Sequence, residues 1–289
     1  QLIKPLVTAF FDEQTNTYSY IVQDPLSKVC AIVDPVLNFD SPSGTTSYDG
    51  ADAIIAAVKQ KGLQTEWIIE THAHADHLSA APYIKQALGG KIAIGEKITT
   101  VQQTFGKLFN DGPGFARDGS QFDHLFKENE TYKIGHLTAT ALYTPGHTPA
   151  CMSHVIGDAI FVGDTIFMPD GGTARADFPG GDAAELYRSI HKILSLPGDY
   201  RIFVCHDYAP NNRPYACETT VADQVTHNIH VKKGISLEEF VSMRQTRDKT
   251  LGMPRLILPS LQVNIRAGNL PEPEDNGLVY LKLPVNAFQ

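Results

Sequence analysis

The apolar positions of this chain fall in short bursts divided by turn residues, which predicts short strands with helices between them. Tyr18–Gln23 and Lys28–Asp34 are two such bursts with Asp24-Pro25 between them, so the first forty residues predict strands joined by a turn. Leu37–Gly50, rich in Ser, Gly, Thr, Pro and Asp, predicts a loop, after which Asp49 caps a helix over Ala51–Lys61 that Gly62 ends. A strand at Glu66–Thr71, a helix at Ser79–Leu88 closed by Gly89-Gly90, a strand at Lys91–Ile94 and a helix at Thr99–Phe109 follow. Asn110–Gln121 predicts a second loop; Leu137–Tyr143, Met152–Ile156 and Ala159–Val162 predict strands. Asp182–Leu194 predicts a helix with Leu186, Ile190 and Ile193 on one stripe, and Arg201–Cys205 a further strand. In the tail, Ser236-Leu237-Glu238-Glu239 reads as a capping box opening a helix. Pro259–Ala267 predicts a short helix, with Pro early and Gly268 after its end. Residues 269–289 carry no assignable pattern, and the whole predicts a layered α/β architecture.

Charge and composition narrow the function classes. The net charge of -8 argues against a general nucleic-acid binder, which needs a basic footprint, but leaves room for an anionic small substrate held by a local Arg cluster. No run of 18 apolar residues occurs, so no membrane span is expected. Cys30, Cys151, Cys205 and Cys217 form no C-x-x-C pair, which excludes a zinc ribbon or thioredoxin-like motif and predicts small buried apolar residues of a reducing compartment.

The candidate chemistry sits in Thr71-His72-Ala73-His74-Ala75-Asp76-His77, directly after the apolar Trp67-Ile68-Ile69. Residues two apart on extended backbone point to one side, so His72 and His74 converge beyond the strand end, with Asp76 and His77 facing back from the next turn. Imidazole and carboxylate suit divalent first-row metals. Three further strands end the same way: Thr144-Pro145-Gly146 delivers His147, Gly163 precedes Asp164, and Arg201–Cys205 ends at His206. Open α/β sheets place their sites at such edges. The remaining histidines, at 124, 136, 154, 191, 227 and 230, lack this context and read as structural.

The order H-x-H-x-D-H, P-G-H-T, G-D and a strand-end His resembles the signature of the metallo-β-lactamase superfamily over roughly residues 5–210. The resemblance implies an αββα sandwich with metal at one edge. It implies a catalytic domain over 1–230, with 231–289 as an extension packed on the same domain. T-H-A-H-A-D-H, the segment Gly171-Gly172 to Arg175-Ala176-Asp177-Phe178, and His206-Asp207-Tyr208 resemble the persulfide dioxygenases, the ethylmalonic-encephalopathy-protein-like group. The tail, with Leu251–Pro254 and Val263–Gly268, is similar to the longer bacterial type without an appended rhodanese domain.

That resemblance implies one Fe(II) per chain held by His72, His147 and Asp164, a 2-His-1-carboxylate set, with His74, Asp76, His77 and His206 around it. The implied partners are glutathione persulfide and O₂, with sulfite and glutathione as products. Arg175, Tyr208 and Arg213 become candidates for the glutathione carboxylates, with Arg266 a weaker one. A bacterial cytoplasmic location and a homodimer belong to the same expectation. All seven ligand-type residues are present, however, so spacing leaves open a two-metal Zn or Fe hydrolase of the glyoxalase II type cleaving glutathione thioesters.

Overall fold

A computed structural model describes residues 1–288 of the chain. In chain order the first half contains β1 (Leu6–Asp12), β2 (Thr17–Gln23), β3 (Val29–Val33), β4 (Val36–Asp40), β5 (Thr45–Ser47), α1 (Asp49–Gln60), β6 (Gln64–Ile69), β7 (Leu78–Ser79), α2 (Ala81–Leu88), β8 (Lys91–Gly95), α3 (Ile98–Leu108) and β9 (His124–Phe126). The second half contains β10 (Glu130–Ile134), β11 (Leu137–Tyr143), β12 (Met152–Ile156), β13 (Ala159–Phe161), α4 (Ala183–Leu194), β14 (Arg201–Phe203), β15 (Glu218–Thr220), α5 (Val221–His227), α6 (Leu237–Asp248) and α7 (Ile257–Asn264).

Two six-stranded sheets form the centre, in the orders β1-β2-β3-β6-β8-β9 and β10-β11-β12-β13-β14-β15. The first is antiparallel through β3 and parallel from β3 to β9; in the second only β13 and β14 run parallel. The period-two geometry of a strand sorts its side chains between two cores. Tyr20, Val22, Ala31, Val33, Trp67 and Ile69 face the second sheet and meet Phe161 and Phe203 there. Their neighbours Ile21, Cys30, Ile32 and Ile68 face outward, where they pack with Ile54, Ile84, Val101 and Leu261 of the flanking helices. The outer face of the second sheet buries Ile160 and Ile202 against Leu186, Ile190 and Phe240 of α4 and α6. Sheets buried on both faces need helices outside, and the result is the αββα sandwich.

Several elements differ from the sequence pattern for identifiable reasons. Leu37–Gly50 is not simply a loop: β4 and β5 pair antiparallel, and β4 also pairs with β7. The polar run exposes its side chains while its backbone groups pair, and composition reports only the former. Asp49 is the first residue of α1 rather than its cap, and Tyr48 before it makes no side-chain capping bond. β9 and β10 have no counterpart in the predicted elements. The predicted caps of α4 and α6 are present: Asp182 accepts from the Glu185 N–H at 2.9 Å and Ser236 from the Glu239 N–H at 3.1 Å. The segment beginning at Ile257 is a helix, α7, and Ala267 and Gly268 beyond its end take left-handed φ of 57° and 89°. All four cysteines are free, and among the described residues no helix is long and apolar enough to cross a membrane.

Candidate metal centre

Five strands end on one rim of the sandwich, and each delivers a polar residue at its end. β3 gives Asp34, β6 gives His72–His77 after two residues, β11 gives His147, β13 gives Asp164 and β14 gives His206. Two glycines make the delivery tight. Gly163 sits at φ 55° beside Thr71, where a Cβ would lie 2.7 Å from Thr71 Oγ1. Gly146 sits at φ 141°, and a Cβ there would overlap the Leu186 backbone at the start of α4.

The ligand atoms of His72, His147 and Asp164 lie within 4.8 Å of one another, as do those of His74, Asp76, His77 and His206. Asp164 joins the two groups: one carboxylate oxygen is 3.4 Å from His72 Nε2 and 3.2 Å from His147 Nε2, the other 3.0 Å from His206 Nε2. His206 Nε2 also lies 3.2 Å from Asp76. Every one of these residues except the half-buried Asp76 is buried. His72 Nε2, His74 Nδ1, His77 Nε2, His206 Nε2 and Asp164 Oδ1 nevertheless have no hydrogen-bond partner among the described residues. Buried polar atoms left unpaired are costly, and five of them gathered on one rim fit a cation as the missing partner. The donor set is a buried metal-binding cluster.

The opposite ring nitrogens are anchored, which fixes the orientation of each imidazole. His147 Nδ1 donates to the Arg175 carbonyl at 2.8 Å, and His206 Nδ1 to the Asn16 carbonyl at 3.1 Å. His72 Nδ1 meets Thr71 Oγ1 at 3.0 Å, and that hydroxyl donates to Asp34 Oδ2 at 2.9 Å. His74 Nε2 meets Asp34 Oδ1 at 2.9 Å. Asp34 thus orients two candidate ligands at once. In the sequence Asp34 reads only as the last residue of the predicted strand Lys28–Asp34; its place immediately after a buried strand, like that of the candidate ligands, is the signal that marks it. Asn264 of α7 is a second such residue, since its amide donates to the carbonyls of His74 and His77, both at 2.8 Å.

Electrostatics follow from this crowding. Burial opposes ionisation of Asp164, but the His206 and His72 imidazoles hold its carboxyl well below the usual range. Burial would likewise lower His206, but Asp164 and Asp76 hold its imidazole well above the ordinary value. Burial, with His72 and His77 adding to it, pushes His74 down to about 4. Glu70, buried beside Asp34, is held well above the carboxylate range.

A cavity of about 490 Å³ opens over the cluster, with Asp76, His147, Asp164 and His206 at its floor. Arg175 and Tyr208 line it. The Arg175 guanidinium pairs with Asp177 at 2.6 Å, donates to the Gly252 carbonyl at 2.6 Å and lies 4.7 Å from the Phe178 ring centre. Arg213 lies outside the lining; its fork is taken by Asp207 at 2.6 Å and Asp170 at 2.7 Å. Arg266 is likewise outside it, paired with Asp111 at 2.9 Å. The lining instead includes Arg244, Arg247 and Arg255 from the tail, which sequence reading missed. Arg244 is buried and paired with Asp248, whereas exposed Arg247 and Arg255 make no ion pair among the described residues. The three-residue spacing of Arg244 and Arg247 on one helix face is the only local hint.

The sequence profile described as "Metallo-beta-lactamase superfamily" matches residues 13–206. A Burkholderia pseudomallei protein named "Probable metallo-hydrolase" is 55% identical over 292 residues, covering 98% of this chain and 99% of that one. The Mus musculus protein named "Persulfide dioxygenase ETHE1, mitochondrial" is 28% identical over 266 residues, covering 91% of this chain and 89% of that one. The crystal structure of ETHE1 from Myxococcus xanthus superposes with a TM-score of 0.72 at 25% identity, covering 91% of this chain and all of that one. The names of these relatives thus span a hydrolase at high identity and a dioxygenase at low identity.

Proposed function

The chain belongs to the metallo-β-lactamase superfamily, and from that premise we propose that it is a persulfide dioxygenase acting on glutathione persulfide. The observation that carries the reading is the compact His72, His147 and Asp164 cluster, two imidazoles and one carboxylate, the donor set of mononuclear Fe(II) oxygen chemistry. Held there, ferrous iron supplies electron transfer to dioxygen and a binding position for sulfur. The similarity to the mouse dioxygenase and the Arg175–Phe178 and His206–Tyr208 segments support the same assignment.

The overall reaction consumes one persulfide, one O₂ and one water. Both atoms of O₂ and the oxygen of water end on the terminal sulfur, which is oxidised while O₂ is reduced. The S–S bond breaks, its inner sulfur leaves as the glutathione thiol with a proton, and the outer sulfur leaves as sulfite. The residues of the chain contribute position. Arg247 and Arg255 offer unpaired cations to the substrate carboxylates in a chain of net charge -8. The Tyr208 hydroxyl, on a side chain 59% exposed at the cavity wall, adds a donor. Phe167 and Phe178 add apolar surface to the cavity wall. The Arg175 carbonyl keeps the proton of His147 on Nδ1 and leaves Nε2 free for the cation.

Oxygen consumption by iron-loaded, anaerobically purified protein tests the reading. Glutathione persulfide is expected to drive O₂ uptake with sulfite formation, and His147→Ala to abolish it. The second reading, a dinuclear hydrolase of glutathione thioesters, is favoured by the separate His74, Asp76, His77 and His206 group. Two metals per chain and thioester cleavage without O₂ would establish that reading and defeat the first.

A further inference from the structure

The large cavity has a smaller neighbour. A crevice of about 20 Å³ lies between Ala73 and Ala75 of the ligand loop, Val101 and Phe105 of α3, and Leu261 of α7. Ala75, His147 and Phe178 line both spaces, so the two meet at His147, with the Phe178 ring edge-to-face on the imidazole at 5.6 Å. Its lining includes exposed Pro179 and buried Ala75 and none of the arginines. Only His147 and Thr148 among its lining residues are polar. His147 Nδ1 is occupied by the Arg175 carbonyl, and the Thr148 hydroxyl by Cys151 and the Ala150 N–H.

These features select the occupant. A buried water needs two to four polar partners, and the two polar side chains here are already engaged; apolar cavities can stay dry and take up apolar gases. A tripeptide thiol cannot enter so small a space. What fits is a small uncharged apolar molecule that must reach the metal cluster while the large cavity is filled. Resting on the dioxygenase reading, we propose that this crevice is the entry and holding site for O₂, separate from the arginine-lined mouth that admits the persulfide. The alternation of alanine with ligand in His72-Ala73-His74-Ala75-Asp76 then has a purpose, because any larger residue at Ala73 or Ala75 would close the route.

Two measurements test this. Crystals pressurised with xenon are expected to show an atom among Ala73, Val101 and Leu261, and crystals of Val101→Phe to show none. In O₂-uptake assays Val101→Phe and Leu261→Phe are expected to raise the KM for O₂ severalfold, with the KM for glutathione persulfide and the kcat at saturating O₂ unchanged. Val101→Leu, a smaller filling, is expected to give an intermediate shift and serves if phenylalanine prevents folding. An unchanged KM for O₂ in the folded variants, or no xenon site in the wild-type crevice, overturns the route while leaving the dioxygenase reading intact. Absence of persulfide-driven O₂ uptake by the wild-type protein defeats the dioxygenase reading, and the route with it, even if xenon binds.

Discussion

Asp164→Ala is expected to purify without stoichiometric metal and to lose activity by more than about a hundredfold, beyond the 10–100-fold scale on which outer-shell partners act. Asp164 is the carboxylate shared by both groups of histidines, within 3.4 Å of His72, His147 and His206. Metal analysis and O₂ uptake check the loss directly. A pH signature separates it from general damage. In the metal-free protein the imidazole of His206 is held above its ordinary 6.5 by Asp164 and Asp76, despite burial. A raised folded-state value stabilises fully below the unfolded value and is lost as pH rises through the folded one. Asp164, held below its ordinary 3.8, stabilises above that value and loses its contribution as pH falls. The metal-free wild type should therefore be most stable between these limits, with its Tm declining above neutral pH. Metal-free Asp164→Ala should lack most of that alkaline decline. A wild-type slope in the variant would show that Asp164 does not carry the proton linkage.

Asp34→Ala is expected to weaken metal binding by about 10–100-fold, the scale of an outer-shell partner; Asp34 lies outside the two groups above and clusters instead with Glu70 and His74. Its loss would strand the Thr71 N–H, the Thr71 hydroxyl and His74 Nε2, all of which now end on its two oxygens. Two ligand rings would then be free to turn. The backbone is a competing cause, because Asp34 has a left-handed φ of 51°. Asparagine tolerates that conformation but carries no charge and presents a donor where the Thr71 hydroxyl needs an acceptor. Chelator competition on Asp34→Ala and Asp34→Asn separates the two. Weakening in both assigns the effect to the carboxylate, and wild-type affinity in Asp34→Asn assigns it to the backbone.

What could be read from the sequence was whatever is local to a strand end. His72, His147, Asp164 and His206 each follow a buried apolar run, and the sandwich brings those runs to one rim. The helices read well where a cap is explicit in the sequence, with an apolar stripe at Asp182–Leu194 and with the capping box alone at Ser236. Partners distant in sequence did not read. Arg213 lies near His206 along the chain, but its guanidinium is taken up by Asp207 and by Asp170, the latter 43 positions away. Arg247 and Arg255 reach the cavity only because α6 and the segment after it fold back over the rim, a tertiary fact with no local signal. The β4–β5 hairpin escaped because polar side chains conceal a paired backbone.

On the dioxygenase reading, His72, His147 and Asp164 together hold one iron at which the reaction occurs. Anomalous diffraction at the iron edge, on crystals of anaerobically iron-loaded protein, tests it most directly. One peak per chain is expected, with those three side chains as its protein ligands. Two peaks, or a single peak coordinated without His147 or Asp164, would contradict it.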